Sequence, residues 1–115
     1  MEADDVIPIL RVKDAAIAVA WYNRLGFRQS SIHRFGPHMP AFVTVERGTM
    51  KIFLSEHTGD ARPDTLIYLA VSDLHPIAKE FGVQVEEVPW GLEIELRDPD
   101  KNRLRIGMPK PGKSG

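Results

Sequence analysis

The chain has 115 residues, of which 43% are hydrophobic and 27% charged, as expected for one globular domain over residues 1–115. A formal net charge of -1 gives no sign of the concentrated basic surface that nucleic-acid binding requires. The sequence has no cysteine and no apolar run near the ~20 residues of a membrane span, so we expect a cytoplasmic protein without disulfides, thiolate chemistry or membrane partners.

The first half of the sequence predicts a strand, a helix and three further strands. Residues 6–12 are rich in β-branched residues and leucine, and Pro8 favours an edge, a strand terminus or an exchanged strand, because proline cannot donate a ladder hydrogen bond. Asp14 is the expected N-cap of a helix that ends at Gly26, with apolar residues at helical spacing between them. Strands are expected after Phe27 to about Phe35, at 41–46 and at 50–55, the last two as a hairpin.

The second half predicts the same order of elements after a polar linker at residues 57–64. A strongly apolar strand is expected at 65–71, and Asp73 is the expected cap of a shorter helix that ends at Gly82. Further strands are expected at 83–88, 92–96 and 103–108, with a turn-rich loop at 98–102.

Two short motifs recur in the two halves. Val12-Lys13-Asp14 corresponds to Val71-Ser72-Asp73, and Leu25-Gly26-Phe27 corresponds to Phe81-Gly82-Val83. Internal similarity of this kind determines the architecture. We therefore predict an α+β fold of tandem βαβββ units, over about residues 5–57 and 65–109, with curved mixed sheets around a cleft and helices outside. Residues 110–115 are expected to form a flexible tail.

Three segments resemble the vicinal oxygen chelate superfamily, which holds glyoxalases, extradiol dioxygenases and bleomycin-resistance proteins. They are residues 6–14, 21–27 and 89–104. Leu25-Gly26-Phe27 and the Asp98-Pro99-x-x-Asn102 motif are shared across that superfamily, so they indicate the fold. Pro89-Trp90-Gly91 followed by Leu96-Arg97-Asp98-Pro99 is similar to the bleomycin-resistance branch. The resemblance therefore implies a protein that binds an antibiotic-like small molecule.

The enzymes of that superfamily bind a metal through four positions on the cleft face, where they typically use His, Gln or Glu. By the resemblance, these positions are Ile7, Phe53, Leu66 and Arg105 in this sequence. Three of them carry no ligand atom, and arginine is a fixed cation that repels a divalent metal. The resemblance thus implies a metal-free protein without a cofactor that sequesters its ligand, and it argues against an enzyme.

Two other interpretations stay open. One is a metal-dependent enzyme of the glyoxalase or dioxygenase kind that has relocated its metal, and Glu56-His57 is then the pair to test. The other is a superfamily member with a closed cleft whose surface serves protein interaction. The histidines available to the first interpretation are His33, His38, His57 and His75.

The resemblance also implies which residues contact the ligand. Trp90 corresponds to a tryptophan of the groove that stacks on the flat part of the drug, and an indole offers a broad face for stacking. Tyr68 lies two residues after Leu66 on the same predicted strand, so both side chains point to one face and we expect Tyr68 to face the cleft. The other candidates are Phe35 as a second stacking partner, Phe53 as an apolar floor, and Arg105 and His57 at the cleft.

The expected charges of the cleft differ from those of known bleomycin binders, which offer an acidic groove to a cationic drug. Arg103, Arg105 and Lys51 are expected on the cleft face. Such a groove favours an anionic or neutral ligand, because opposite charges attract across a binding surface.

Superfamily members of this size commonly form two-fold dimers and often exchange an N-terminal strand. Pro8 early in the first strand suits such an exchange, and a small domain with open sheet edges benefits from covering them. We therefore expect a homodimer.

Overall fold

The computed structural model describes residues 4–34 and 36–109 of the chain. Within these ranges, two helices and eight strands confirm the predicted α+β fold of two βαβββ repeats. In chain order, the elements are β1 (Ile9–Arg11), α1 (Ala15–Arg24), β2 (Arg28–Arg34), β3 (Ala41–Arg47), β4 (Met50–Ser55), β5 (Leu66–Ala70), α2 (His75–Phe81), β6 (Glu86–Val88), β7 (Gly91–Arg97) and β8 (Arg103–Met108).

The chain divides into two compact units, which are described separately. The first comprises the described residues of Met1–Thr65 together with Asp98–Asn102. The second comprises those of Leu66–Arg97 and Arg103–Gly115. The loop at 98–102 therefore belongs to the first unit, although it joins two strands of the second.

The first unit contains a mixed sheet with the strand order β1-β4-β3-β2. Strand β1 runs parallel to β4, with Ile9 opposite Phe53, and the other neighbours are antiparallel. Helix α1 contacts β2, β3 and β4. The core of this unit includes Tyr22, Phe27 and Leu54, which are fully buried.

The second unit repeats this arrangement with the order β5-β8-β7-β6. Strand β5 is parallel to β8, and the remaining pairs are antiparallel. Leu69, Leu96 and Ile106 are buried, whereas Leu66 and Tyr68 are 44% and 50% exposed. Because alternate residues of a strand point to opposite faces, the second sheet has one apolar face and one open face.

The two helices begin differently. Asp14 caps α1 as predicted, since its carboxylate accepts hydrogen bonds from the backbone N–H groups of Ala16 and Ile17. The cap predicted at Asp73 is wrong, because the N-cap position of α2 is Leu74 and Asp73 binds the backbone N–H of His75 instead.

Among the described residues, no helix is long and apolar enough to cross a membrane.

Two strands begin later than predicted, for local reasons. Strand β1 begins at Ile9 rather than Val6, because Pro8 has no N–H and only its carbonyl joins the pairing, accepting from the Phe53 N–H at 3.0 Å. Strand β6 begins at Glu86 rather than Val83, because the Val83 N–H still binds the Ala78 carbonyl at the end of α2.

The loop between β7 and β8 is anchored by buried polar side chains of the first unit. One carboxylate oxygen of Asp98 accepts from two backbone N–H groups of its own loop, and the other accepts from the Tyr22 hydroxyl at 2.8 Å. The side chain of Asn102 donates to the carbonyl of Arg11 and accepts from the N–H of Thr65. The Asp98-Pro99-x-x-Asn102 motif therefore has a structural role in this chain.

Candidate functional site

The open face of the second sheet carries a row of polar and aromatic side chains. Strand register places Tyr68 opposite Arg105 and Arg105 opposite Glu95. The same register places Glu93 opposite Gly107. Since directly opposed residues of neighbouring strands share a face, these side chains form one continuous surface across β5, β8 and β7.

Glu93 joins the two exposed aromatic side chains of this surface. Its Oε2 atom accepts a hydrogen bond from the Tyr68 hydroxyl at 2.9 Å and another from the Trp90 indole Nε1 at 2.7 Å. Glu93 itself is only 8% exposed, whereas Tyr68 and Trp90 are 50% and 68% exposed. One buried carboxylate thus restrains two accessible rings, and restrained rings lose less conformational entropy on contact with another molecule than freely rotating rings.

Gly107 allows this arrangement. A Cβ atom at Gly107 would lie 1.9 Å from the Tyr68 hydroxyl oxygen, far inside any real contact distance. Tyr68 therefore reaches Glu93 by crossing β8 at the one position of the strand where no side chain obstructs it.

Two concave spaces lie on this unit, one lined by Glu93 and one lined by its two hydrogen-bond partners. The larger is a groove of about 550 Å³ lined by Gln84, Glu86, Glu93, Ile94, Glu95 and Arg105. The smaller is a mostly apolar pocket of about 190 Å³ lined by Tyr68, Ala70, Val71, Trp90, Gly107, Met108 and Pro109. The lining of the larger groove is mainly charged, so the second unit has one polar and one apolar concavity.

The charges of this groove differ from the basic surface predicted from the sequence. Arg103 and Arg105 both pair with Glu95, at 3.2 Å and 3.4 Å. The hydrogen bond from Arg103 is the main reason that the pKa of Glu95 lies below its ordinary value, and Arg105 lowers it further. Glu86 and Glu93 then leave the groove with an excess of negative charge.

The four positions that the sequence resemblance singled out for a metal carry no carboxylate, imidazole or thiolate group in this chain. In the first unit, Ile7 is half-buried before β1, and Phe53 packs on Phe42 with ring centroids 5.0 Å apart. In the second unit, Leu66 is exposed and Arg105 pairs with Glu95. Within residues 4–34 and 36–109, no group of three or more His, Asp or Glu side chains is placed to hold a metal ion.

Glu56 and His57 have structural contacts in the first unit. The Glu56 carboxylate accepts from the backbone N–H of Ala15 at the start of α1 and from that of Ala41 at the start of β3, both at 2.8 Å. The His57 N–H donates to the Ser55 hydroxyl at 3.1 Å. Glu56 is thus a second cap of α1 that the sequence pattern did not reveal.

Three of the predicted ligand-site residues lie together in the second unit. Tyr68 and Trp90 share Glu93, and Arg105 lines the neighbouring groove. Phe53 and His57 belong to the first unit, and Phe35 lies outside the described residues. Glu93, which the sequence analysis did not single out, is the residue that connects Tyr68 and Trp90.

Comparisons with known proteins agree with this architecture. A sequence model of the family described as "Glyoxalase superfamily protein" matches residues 1–113. A search among curated proteins gives no match. One similar solved structure is a bleomycin-binding protein complexed with bleomycin, at 22% identity and a TM-score of 0.74 over 94% of this chain and 100% of that chain.

Two further solved structures are similar to the chain. A bleomycin resistance determinant encoded on the transposon Tn5 is 24% identical, with a TM-score of 0.73 over 93% of this chain and 98% of that chain. TnmS3, an antibiotic binding protein from Streptomyces sp. CB03234, is 22% identical, with a TM-score of 0.72 over 96% of this chain and 99% of that chain. At these identities the likeness is one of fold.

Proposed function

The chain belongs to the glyoxalase superfamily, and on this premise we propose that it binds and sequesters a small, flat, antibiotic-like molecule without a metal. Solved structures with the same fold include a bleomycin-binding protein and an antibiotic binding protein. The observation that carries the proposal is the pair of exposed rings, Tyr68 and Trp90, held by the buried carboxylate of Glu93. Neighbouring exposed apolar side chains often mark a binding site, and rings that are already ordered lose less conformational entropy on binding.

The ligand class follows from the lining of the second unit. The small pocket beside Tyr68 and Trp90 suits the edge of an aromatic or other apolar group. The larger groove has three glutamates and one arginine, and that arginine already pairs with Glu95. We therefore propose a ligand that combines a flat ring system with a cationic group, in place of the anionic or neutral ligand expected from the sequence.

Metal independence is part of this proposal. Ile7, Phe53 and Leu66 offer no ligand atom at the positions that related enzymes use, and Arg105 is a cation. Metal analysis of protein purified without chelator is expected to find no stoichiometric nickel, iron, manganese or zinc. A stoichiometric metal that is lost on His57→Ala would instead support the relocated-metal enzyme.

We further propose that the protein is a cytoplasmic homodimer. The absence of cysteine suits a reducing compartment. The edge strand β2 is exposed along its length, and Val6 and Ile32 are 90% and 54% exposed in the single chain. Covering such an edge and such side chains is a common reason for pairing. Sedimentation at micromolar concentration is expected to give a dimer, and a monomer there would contradict this part of the proposal.

A fluorescence titration tests the proposed function. The chain has two tryptophans, so a Trp21→Phe background leaves Trp90 as the reporter. Bleomycin and proflavine, a planar cation, are expected to change Trp90 emission saturably, whereas anthracene carboxylate, a planar anion, is expected to bind more weakly. Trp90→Leu in the wild-type background, followed by calorimetry, is expected to weaken binding of both cations. Absence of saturable binding by all three compounds would contradict the proposal.

A further inference from the structure

Glu93 has two carboxylate oxygens in different situations. Oε2 accepts both the Tyr68 hydroxyl and the Trp90 indole N–H, at 2.9 Å and 2.7 Å. Oε1 accepts no hydrogen bond from the residues that the structure describes. Because Oε1 is nevertheless not one of the fully buried side-chain atoms without a partner, this oxygen is not fully buried. Since Glu93 also lines the charged groove, Oε1 is the oxygen that remains available to a molecule in that groove.

We propose that Glu93 is the specificity-determining residue of this surface: Oε2 positions the Tyr68 and Trp90 rings, and Oε1 accepts a hydrogen bond from a cationic N–H group of the ligand. This inference rests on the proposed function. It adds that ring stacking and cation recognition are coupled through one side chain. The ligand class is therefore a planar ring whose protonated or amino nitrogen lies within reach of the groove.

The arrangement of the strands supports a single coupling residue. Glu93 lies directly opposite Gly107 on β8, which is why the Tyr68 side chain reaches it, and directly opposite Glu86 on β6. Glu93 thus connects the two concavities. Its own side chain lines the acidic groove, and the two residues that it holds, Tyr68 and Trp90, line the apolar pocket. A hydrogen bond from a charged donor to a mostly buried carboxylate is stronger than one made at the surface.

The Tyr68 hydroxyl provides a readout in the free protein. Desolvation is the main reason that the pKa of Tyr68 lies above its ordinary value, and the hydrogen bond to Glu93 raises it further. Removing that acceptor is therefore expected to lower the midpoint of the tyrosine titration. This measurement needs no ligand, so it reports on the positioning role alone.

Two substitutions separate the two oxygens. Glu93→Gln keeps one oxygen, which can accept from both Tyr68 and Trp90, and turns an N–H donor toward the groove. Glu93→Leu removes both acceptors at similar volume. Glu86→Gln is the matched control, since it removes the same charge from the same groove without a bond to either ring.

The experiment measures Trp90 fluorescence anisotropy in the Trp21→Phe background, and the binding of proflavine and anthracene carboxylate. Glu93→Gln is expected to keep the anisotropy and to weaken proflavine binding on the order of tenfold to a hundredfold, while Glu86→Gln weakens it by about threefold at most. Glu93→Leu is expected to lower the anisotropy and the tyrosine midpoint as well. Neither Glu93→Gln nor Glu86→Gln is expected to weaken binding of the anion.

Unchanged anisotropy and tyrosine titration in Glu93→Leu would overturn the positioning role. Equal weakening of proflavine by Glu93→Gln and Glu86→Gln would overturn the role of Oε1, because long-range charge would then explain both. If Glu93→Leu does not fold, Tyr68→Phe replaces it, and unchanged affinity of that variant for proflavine would overturn the coupling. A wild-type protein that binds no probe contradicts the proposed function, whereas anisotropy and tyrosine titration still decide whether Glu93 holds the rings.

Discussion

The hydroxyl of Tyr22 on α1 donates a 2.8 Å hydrogen bond to Oδ2 of Asp98, 76 residues later in the chain, and both side chains are buried. When the Tyr22 hydroxyl is removed, Oδ2 of Asp98 still accepts a hydrogen bond from the side-chain amide of Asn102. Tyr22→Phe is therefore expected to lower the free energy of unfolding by about 1–2 kcal/mol, since one buried hydrogen bond is lost without leaving the acceptor empty. Urea unfolding measures this, with Tyr68→Phe, at an exposed tyrosine, as the control expected to cost less.

Glu56 is expected to act on stability, not on chemistry. Its carboxylate binds the N–H groups of Ala15 and Ala41, so Glu56→Ala is expected to lower the free energy of unfolding by about 2 kcal/mol and Glu56→Gln by roughly half as much. His57→Ala keeps the backbone bond to Ser55 and is expected to stay within about 0.5 kcal/mol of the wild type. A larger effect of His57 than of Glu56 on stability would contradict this assignment.

The order of the elements could be predicted because the two halves repeat and because caps and turns are local. Gly82 ends α2 in the left-handed conformation, and Asp14 caps α1, as their positions indicate. The start of α2 could not be predicted in this way. The N–H of its N-cap residue, Leu74, donates to the sulfur of Met108 at 3.3 Å, a partner 34 residues away that no local pattern reveals.

The aromatic members of the site could be predicted, but their connection could not. Trp90 stands out by its position between Pro89 and Gly91, and Tyr68 by its parity. The role of Glu93 depends on the register between β7 and β8, which places it beside Gly107 and so within reach of the Tyr68 hydroxyl. The charge of the groove also depends on register, because Glu95 lies opposite Arg105 and also binds Arg103.

Glu95 is expected to make stability fall in acid. Its two arginine partners lower its pKa from the ordinary value of 4.5, so the folded state favours the ionised form. This contribution is fully present above the ordinary pKa and is lost as the pH falls through the lower value of the folded state. Glu95→Gln is expected to flatten the acid side of the stability curve slightly, because the side chain is 39% exposed and solvent screens the pair.

Chemical unfolding at a series of pH values below neutrality measures this difference. High salt is the control, since screening is expected to bring the wild type and Glu95→Gln closer together. A stability difference that grows as the pH falls would contradict the assignment, because the sign of the pKa shift requires the opposite trend.

Gly107→Ala is expected to displace the Tyr68 side chain while the protein remains folded. The added methyl group would lie 1.9 Å from the hydroxyl oxygen of Tyr68, which is the far end of a half-exposed side chain and can swing away. The cost to stability is then about 1 kcal/mol, mainly the lost hydrogen bond to Glu93. Gly59→Ala is the matched control, since nothing lies within 4 Å of the position of its added methyl group.

The expected readout is a larger effect on binding than on stability. With Tyr68 displaced, the apolar pocket loses one wall while Trp90 keeps its bond to Glu93, so Trp90 anisotropy is expected to stay high as affinity for proflavine falls. Wild-type affinity in Gly107→Ala would mean that Tyr68 does not contact the ligand, and the site would then consist of Trp90 and the acidic groove alone. A loss of anisotropy together with affinity would instead mean that the two rings are ordered only as a pair.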